Sequence, residues 1–259
     1  MTSRSKSPLG APSWVDLWTS DVEGSRKFYS EVFGWEAQEP SPEFGGYFMF
    51  TRGGIPVAGG MGDMGDMKAD NSWKIYFDTD DITSTLDEAT KNGGHVLFPA
   101  EPVADLGVQA VLLDSGGATL GMWQALSFPG FTVLEEHGAP SWFELHTRNH
   151  GRAVDFYRNV FRWNTATMSD TDEFRYTTSS DANGEDLLAG IMDASSFMAE
   201  GAVDQWSIYW YVDDTNEAVA TAEALGGSVV MKPEDTPFGR LTTLKDPSGA
   251  FFKLRTSID

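Results

Sequence analysis

The chain has 259 residues, 41% of them hydrophobic and 13% aromatic, with no cysteine and a formal net charge of −21. That length and apolar content suit two packed domains and exclude a disordered chain. The missing cysteines exclude disulfides, thiolate nucleophiles and sulfur-held metals, and the acidic surface repels phosphate backbones, which excludes nucleic acid as a partner.

Met1–Pro12 carries basic residues but no apolar stretch of the secretory kind, and reads as a short flexible arm. No apolar run reaches the length of a membrane span, so the expected setting is cytoplasmic, with no membrane partner. Ser13–Thr19 alternates as a strand. Val22–Phe33 is expected to be a helix. Val22, Tyr29, Val32 and Phe33 share a side at helical spacing, Asp21 suits the N-cap, and Gly34 suits the stop. Short strands are expected at Trp35–Gln38, Gly46–Thr51 and Ile55–Gly59. Gly59–Met67 is rich in Gly and Met. It reads either as a surface loop or as a mobile rim whose methionines adapt to flat ligands.

The same order then returns. Trp73–Asp78 is a strand, a helix runs from about Ile82 to Asn92 and ends at Gly93-Gly94, and strands lie near His95–Phe98, Gln109–Leu113 and Ala118–Gln124. Ser127–Pro140 contains no element of its own and reads as a linker. Beyond it the whole pattern repeats. Trp14, Phe28 and Trp35 recur as Trp142, Phe156 and Trp163, each 128 residues on. Trp206–Asp214 matches Trp73–Asp81. Asp114 recurs as Asp246, 132 residues on, so the second copy gains four residues, placed in loops. A repeat of this length is a duplicated domain. The expected domains are residues 12–126 and 141–256, joined by residues 127–140, and each holds two strand–helix–three-strand units.

A βαβββ unit, doubled and doubled again, carries Asp21…Phe28-Tyr29…Phe33-Gly34, then Thr79-Asp80-Asp81-Ile82 before Gly93-Gly94. The second copy carries Phe156-Tyr157…Phe161, Val212-Asp213-Asp214 before Gly226-Gly227, and Asp246-Pro247-Ser248-Gly249. This arrangement resembles the vicinal oxygen chelate superfamily, the fold of glyoxalase I, extradiol dioxygenases and bleomycin-resistance proteins. The resemblance runs from about Pro12 to Arg255, and more narrowly is to tandem two-domain actinobacterial members. It implies an α+β chain of two tandem glyoxalase/bleomycin-resistance-like domains. Each pairs two units about a cavity, with the helices outside.

Strand alternation assigns the faces. Val15 and Leu17 suit the helix side, so Trp14, Asp16 and Trp18 face the cavity. The same reasoning turns Trp142, Glu144 and His146 inward, then Lys74, Tyr76 and Asp78, then Ser207, Tyr209 and Tyr211, and Trp123 by alternation from Gly121. The resemblance implies three ligand positions in metal-dependent members. Here they hold Trp14 or Trp142, Lys74 or Ser207, and Gly121 or Lys253. None is a normal ligand for a divalent ion, so no metal is expected. No glycine-rich phosphate loop suggests a nucleotide cofactor, and no Ser/His/Asp constellation can be assigned.

Glu144 and His146, two residues apart on one face, are candidates for acid–base catalysis. Asp16 joins them in a displaced metal site if the two cavities meet. His95, His137 and His150 fall at turns or in the linker and are expected to face solvent. Several of the nine tryptophans, with Tyr76, Tyr209 and Tyr211, suggest aromatic walls for a planar or cationic organic ligand. The leading expectation is a metal-independent protein that binds such a molecule, for drug sequestration or an accessory role in antibiotic metabolism, as a monomer or homodimer. The alternative is a lyase, isomerase or oxygenase that uses Glu144 and His146 or a displaced metal.

Overall fold

Local signals place the elements of the computed structural model, which describes residues 2–3, 5–180, 184 and 187–258. Strand β1 (Thr2–Ser3) belongs to the arm. In the first copy, β2 (Pro12–Trp18) leads to α1 (Val22–Phe33), then β3 (Glu36–Ala37), β4 (Phe48–Arg52) and β5 (Ile55–Met61). The second unit is β6 (Ser72–Asp78), α2 (Ile82–Lys91), β7 (His95–Val103), β8 (Gly107–Leu113) and β9 (Thr119–Ala125). After β10 (Val133–Leu134) come β11 (Pro140–Thr147), α3 (His150–Phe161), β12 (Asn164–Asp170), β13 (Arg175–Ser180) and β14 (Leu187–Asp193). The last unit is β15 (Gln205–Tyr211), α4 (Thr215–Ala224), β16 (Ser228–Thr236), β17 (Gly239–Lys245) and β18 (Phe251–Thr256). The caps act as the sequence implies. Asp21 accepts from the Gly24 N–H at 2.9 Å, and Gly34 turns left-handed at φ 67°.

Each copy forms one eight-stranded sheet, in the orders β3-β4-β5-β2-β6-β9-β8-β7 and β12-β13-β14-β11-β15-β18-β17-β16. The units therefore pair within a copy, first with second and third with fourth. At the centre of the first sheet β2 runs antiparallel to β6, with Trp14 opposite Tyr76 and Asp16 opposite Lys74. In the second, β11 runs antiparallel to β15, with Trp142 opposite Tyr209 and Glu144 opposite Ser207.

The helix-bearing faces of the two copies pack on each other, α1 against α4 and α2 against α3. Phe33 and Trp35 meet Trp210, Tyr29 meets Phe252, and Phe77 meets Phe161 and Trp206. Two matching polar relays cross this seam. Tyr29 Oη donates to Asp246 at 3.1 Å and accepts from Trp73 Nε1 at 3.1 Å. Tyr157 Oη donates to Asp114 at 2.8 Å and accepts from Trp206 Nε1 at 2.7 Å. The seam thus takes Trp35, Trp73, Trp163, Trp206 and Trp210. That leaves Trp14, Trp18, Trp123 and Trp142 for the other faces, fewer aromatic wall residues than the tryptophan content suggests.

The arm and the linker differ from the sequence reading. In the arm, Ser7, Gly10 and Ala11 are buried, and β1 pairs with β10 inside the linker. Strand β11 already starts at Pro140. The cause is hydrogen-bond demand at the seam, where buried indole N–H groups need acceptors. Trp163 Nε1 donates to the Gly10 carbonyl at 2.7 Å, and Trp35 Nε1 to the Gly138 carbonyl at 2.8 Å. His95 is exposed as expected, but His137 and His150 are half-buried. His137 Nδ1 accepts from the Asp213 backbone N–H at 3.1 Å. No described helix is long and apolar enough to cross a membrane.

Candidate functional site

Three adjacent strands of the second sheet build a polar cluster on the face away from the seam. Glu144 and His146 come from β11, Tyr209 from β15, and Lys253 from β18, in register with Tyr209. Tyr176 reaches in from β13 across Gly190 of β14, where a Cβ would overlap its phenol oxygen. Glu144 is 7% exposed and accepts four bonds. Its Oε1 receives His146 Nε2 at 2.7 Å, Tyr209 Oη at 2.9 Å and Lys253 Nζ at 3.1 Å, and its Oε2 receives Tyr176 Oη at 3.0 Å. Trp142 Nε1 donates to Tyr176 Oη at 2.9 Å.

The electrostatics follow from burial and pairing. Burial opposes the Glu144 charge, but Lys253 and His146 outweigh it and hold the carboxyl below the ordinary range. Burial pushes the Lys253 ammonium down, against the pull of Glu144. Tyr176 and Tyr209 are pushed up by burial and by the Glu144 charge, so both stay protonated donors. The rim is more open. Trp142 and His146 are half-buried. Phe197, 58% exposed, meets the His146 ring edge-on at 5.6 Å. Arg148 bonds the carbonyls of Ser195, Met198 and Ala199, which holds that loop. Phe174 stacks on Tyr176 at 5.4 Å.

The first sheet repeats the scaffold without the cation. Asp16 Oδ1 accepts from Trp14 Nε1 at 3.0 Å and from Tyr47 Oη at 2.7 Å, and Trp14 Nε1 also reaches Tyr47 Oη at 2.9 Å. A Cβ at Gly59 would overlap the Tyr47 phenol, as at Gly190. The counterpart of Lys253 is Gly121, whose missing side chain lets the Tyr76 ring lie over it. Burial therefore pushes Asp16 up to about 6, against hydrogen bonds from Tyr47, Tyr76 and Trp14. The linker closes this end. Phe128 packs edge-on to Trp14 at 4.8 Å, and Trp123 Nε1 donates to the Phe128 carbonyl at 2.9 Å.

The remaining candidates lie outside both clusters. Trp18, the counterpart of His146, sits under Met61, Met64 and Met67 in a cleft with no room for water. The Lys74 ammonium lies 5.5 Å from the Trp18 ring and is tied to Asp70 and Ser72. Asp78 faces Lys6 of the arm at 3.7 Å. Tyr211 is half-buried and its backbone is engaged by Gly138 and Ala139. Asp16 and Glu144 take their side-chain partners from separate sheets, so the displaced site that combines Asp16 with Glu144 and His146 does not form. A separate cleft of about 40 Å³ lies at the seam between Leu9, α2 and α3 and touches neither cluster. Sequence reasoning missed Tyr47, Tyr176 and the place of Lys253. The available signal was the recurrence of Tyr47 as Tyr176, 129 residues on, together with that of Gly59 as Gly190.

Two eight-stranded sheets, each carrying a buried acid bonded within a Trp–Tyr relay (the first and second cup), make a chain of two tandem copies. The comparisons agree. Residues 11–122 match the glyoxalase/bleomycin resistance protein/dioxygenase superfamily, and residues 142–255 match the glyoxalase-like domain family. The chain belongs to this superfamily. It is 34% identical over 260 residues to CFP32 of Mycobacterium tuberculosis (strain CDC 1551 / Oshkosh), which bears a provisional glyoxylase label, covering 98% of this chain and 97% of that protein. It is also 34% identical over 265 residues to the anthracycline biosynthesis protein DnrV of Streptomyces peucetius, covering 95% and 92%. In fold it is similar to the Mn(II)-bound glyoxalase from Novosphingobium aromaticivorans, with TM-score 0.65 and 15% identity over 97% of this chain and 83% of that one. The catechol dioxygenase BphC gives 0.64 and 15%, over 97% and 89%.

A divalent ion does not fit the residues present. Trp14 and Trp142 offer no lone pair, Gly121 offers no donor, and the Lys74 and Lys253 nitrogens are paired with the Asp70 and Glu144 carboxylates. Among the described residues no three of His, Cys, Asp and Glu gather to hold an ion. Glu144 Oε1 and His146 Nε2, the atoms that could ligate one, bond each other at 2.7 Å and lie 3.1 and 3.2 Å from Lys253 Nζ.

Proposed function

We propose that this chain binds a planar aromatic small molecule at the rim of the second cup, without a resident metal. The observation that carries the reading is the Glu144–His146–Lys253–Tyr209 cluster beside the half-buried Trp142 and the exposed Phe197. It offers a ring-stacking surface next to fixed polar groups, the usual composition of a small-molecule site. The Glu144 charge is met inside the chain by Lys253, which favours a flat, oxygenated ring system over a ligand held mainly through an amine. The relatives named for anthracycline biosynthesis support an accessory role in antibiotic metabolism, and the fold shared with bleomycin-resistance proteins supports drug sequestration. In this proposal the protein works in the cytoplasm as a monomer or homodimer. Its net charge of −21 opposes nucleic acid and anionic membrane surfaces.

The test is a titration of tryptophan fluorescence with a panel of planar aromatics. Saturable quenching is expected, with a Kd on the order of micromolar or tighter. Phe197→Ala is expected to weaken it about tenfold, in keeping with the loss of one ring contact. Absence of quenching across the panel would overturn the reading.

A second reading has its own support. The 2.7 Å contact between His146 and Glu144 orients an imidazole, as an acid–base enzyme requires. Turnover lost in His146→Ala while ligand binding persists would establish catalysis.

A further inference from the structure

We propose that the Lys253 ammonium is the resident cation of the second cup, filling the point where Glu144, His146 and Tyr209 meet and offering one N–H to a carbonyl or phenolate oxygen of the ligand. A carboxylate, a phenol and an imidazole converge on one point, and Nζ occupies it. Glu144 Oε1 and Tyr209 Oη lie 3.1 Å away and His146 Nε2 lies 3.2 Å away. The three groups come from two neighbouring strands and the lysine from a third, and the lysine is 8% exposed, so its position is fixed by the sheet. The matching point of the first cup holds Gly121 and no cation.

The proton count leaves one opening. His146 Nε2 lies 2.7 Å from Glu144 Oε1, too close for two acceptors, so Nε2 carries a proton and donates it. Lys253 Nζ and His146 Nε2 then face each other donor to donor. Glu144 and Tyr209 take two ammonium protons, and the third finds no acceptor in this cluster. An oxygen on the ligand completes it. The same ammonium excludes a divalent ion, which would need both Glu144 and His146 lone pairs at the point Nζ fills. The ligand half of this inference rests on the aromatic-binding reading above. The metal half does not.

Two arms test it. In the first, wild type, Lys253→Glu and Lys253→His are titrated with Zn²⁺ or Ni²⁺ alone, with binding heat and the ion-dependent rise in Tm as readouts. Either substitution is expected to create one site per chain, about 100-fold tighter than wild type, because it supplies a third ligand in place of the cation. The Tm readout serves where a variant folds only with its ion. A stoichiometric ion on wild type that disappears in His146→Ala would overturn the proposal.

In the second arm, 1,8-dihydroxyanthraquinone and anthracene are compared by tryptophan quenching on wild type and Lys253→Met. The oxygenated probe is expected to bind wild type at least tenfold tighter, and Lys253→Met to erase the difference. An equal preference in both proteins would overturn the oxygen assignment. If neither probe binds wild type, the aromatic-binding reading falls, and the ion titration still decides the place of Lys253.

Discussion

Lys253 and Gly121 stand at matching places in the two copies, and the acids beside them titrate in opposite directions. With no cation near, buried Asp16 keeps its proton up to about pH 6, against an ordinary aspartate value of 3.8. The stability it contributes is full below the ordinary value and is lost as pH rises through 6. The size is on the order of 3 kcal/mol for a shift of about two units. Glu144 runs the other way. Lys253 and His146 hold its pKa down despite burial, so its contribution is present above the ordinary glutamate value and fades as pH falls. Asp16→Asn removes the titration while keeping a neutral side chain of similar shape. Its stability relative to wild type, measured by denaturant unfolding, is expected to improve by roughly 3 kcal/mol between pH 4 and pH 8. A difference that does not change with pH would contradict this account of Asp16. The inward direction of Asp16 and Glu144 was legible, because strand alternation is a local rule. Their tyrosines were not. Tyr47 lies just outside β4, and it reaches Asp16 only because Gly59, on a strand paired with β2, lacks a side chain.

At the scale of elements, the same distinction separates what the chain declares locally from what packing imposes. The caps at Asp21 and Gly34 involve residues a few positions apart, and both could be read directly. The arm and linker could not, because their partners are distant. Trp163 bonds Gly10 across 153 positions, and Trp35 bonds Gly138 across 103. The seam relays are likewise invisible to local rules. Tyr157 joins Asp114 to Trp206, and Tyr29 joins Asp246 to Trp73. Tyr157→Phe keeps the ring but leaves a buried carboxylate oxygen and an indole N–H without this partner. It is expected to cost about 1–3 kcal/mol in denaturant unfolding, and Tyr29→Phe a similar amount. Losses under about 0.5 kcal/mol, the scale of an ordinary surface change, would show that the relays contribute little to joining the copies.

For the whole molecule, duplication preserved the sheet order and the Trp–Tyr–acid relay in both copies while the two faces diverged. The first cup is closed by Phe128 and centred on an acid with a raised pKa. The second holds a buried ion pair beneath half-buried aromatic residues. The repeat made two domains legible. It did not reveal that the copies differ in openness, because Phe128 sits in the linker and Lys253 reads only as an unsuitable ligand until its neighbours are placed. The most direct test is native mass spectrometry of the intact protein with a saturating planar aromatic such as 1,8-dihydroxyanthraquinone. The account expects one ligand and no metal ion per chain. Two ligands per chain, or one transition-metal ion per chain retained through purification, would contradict it.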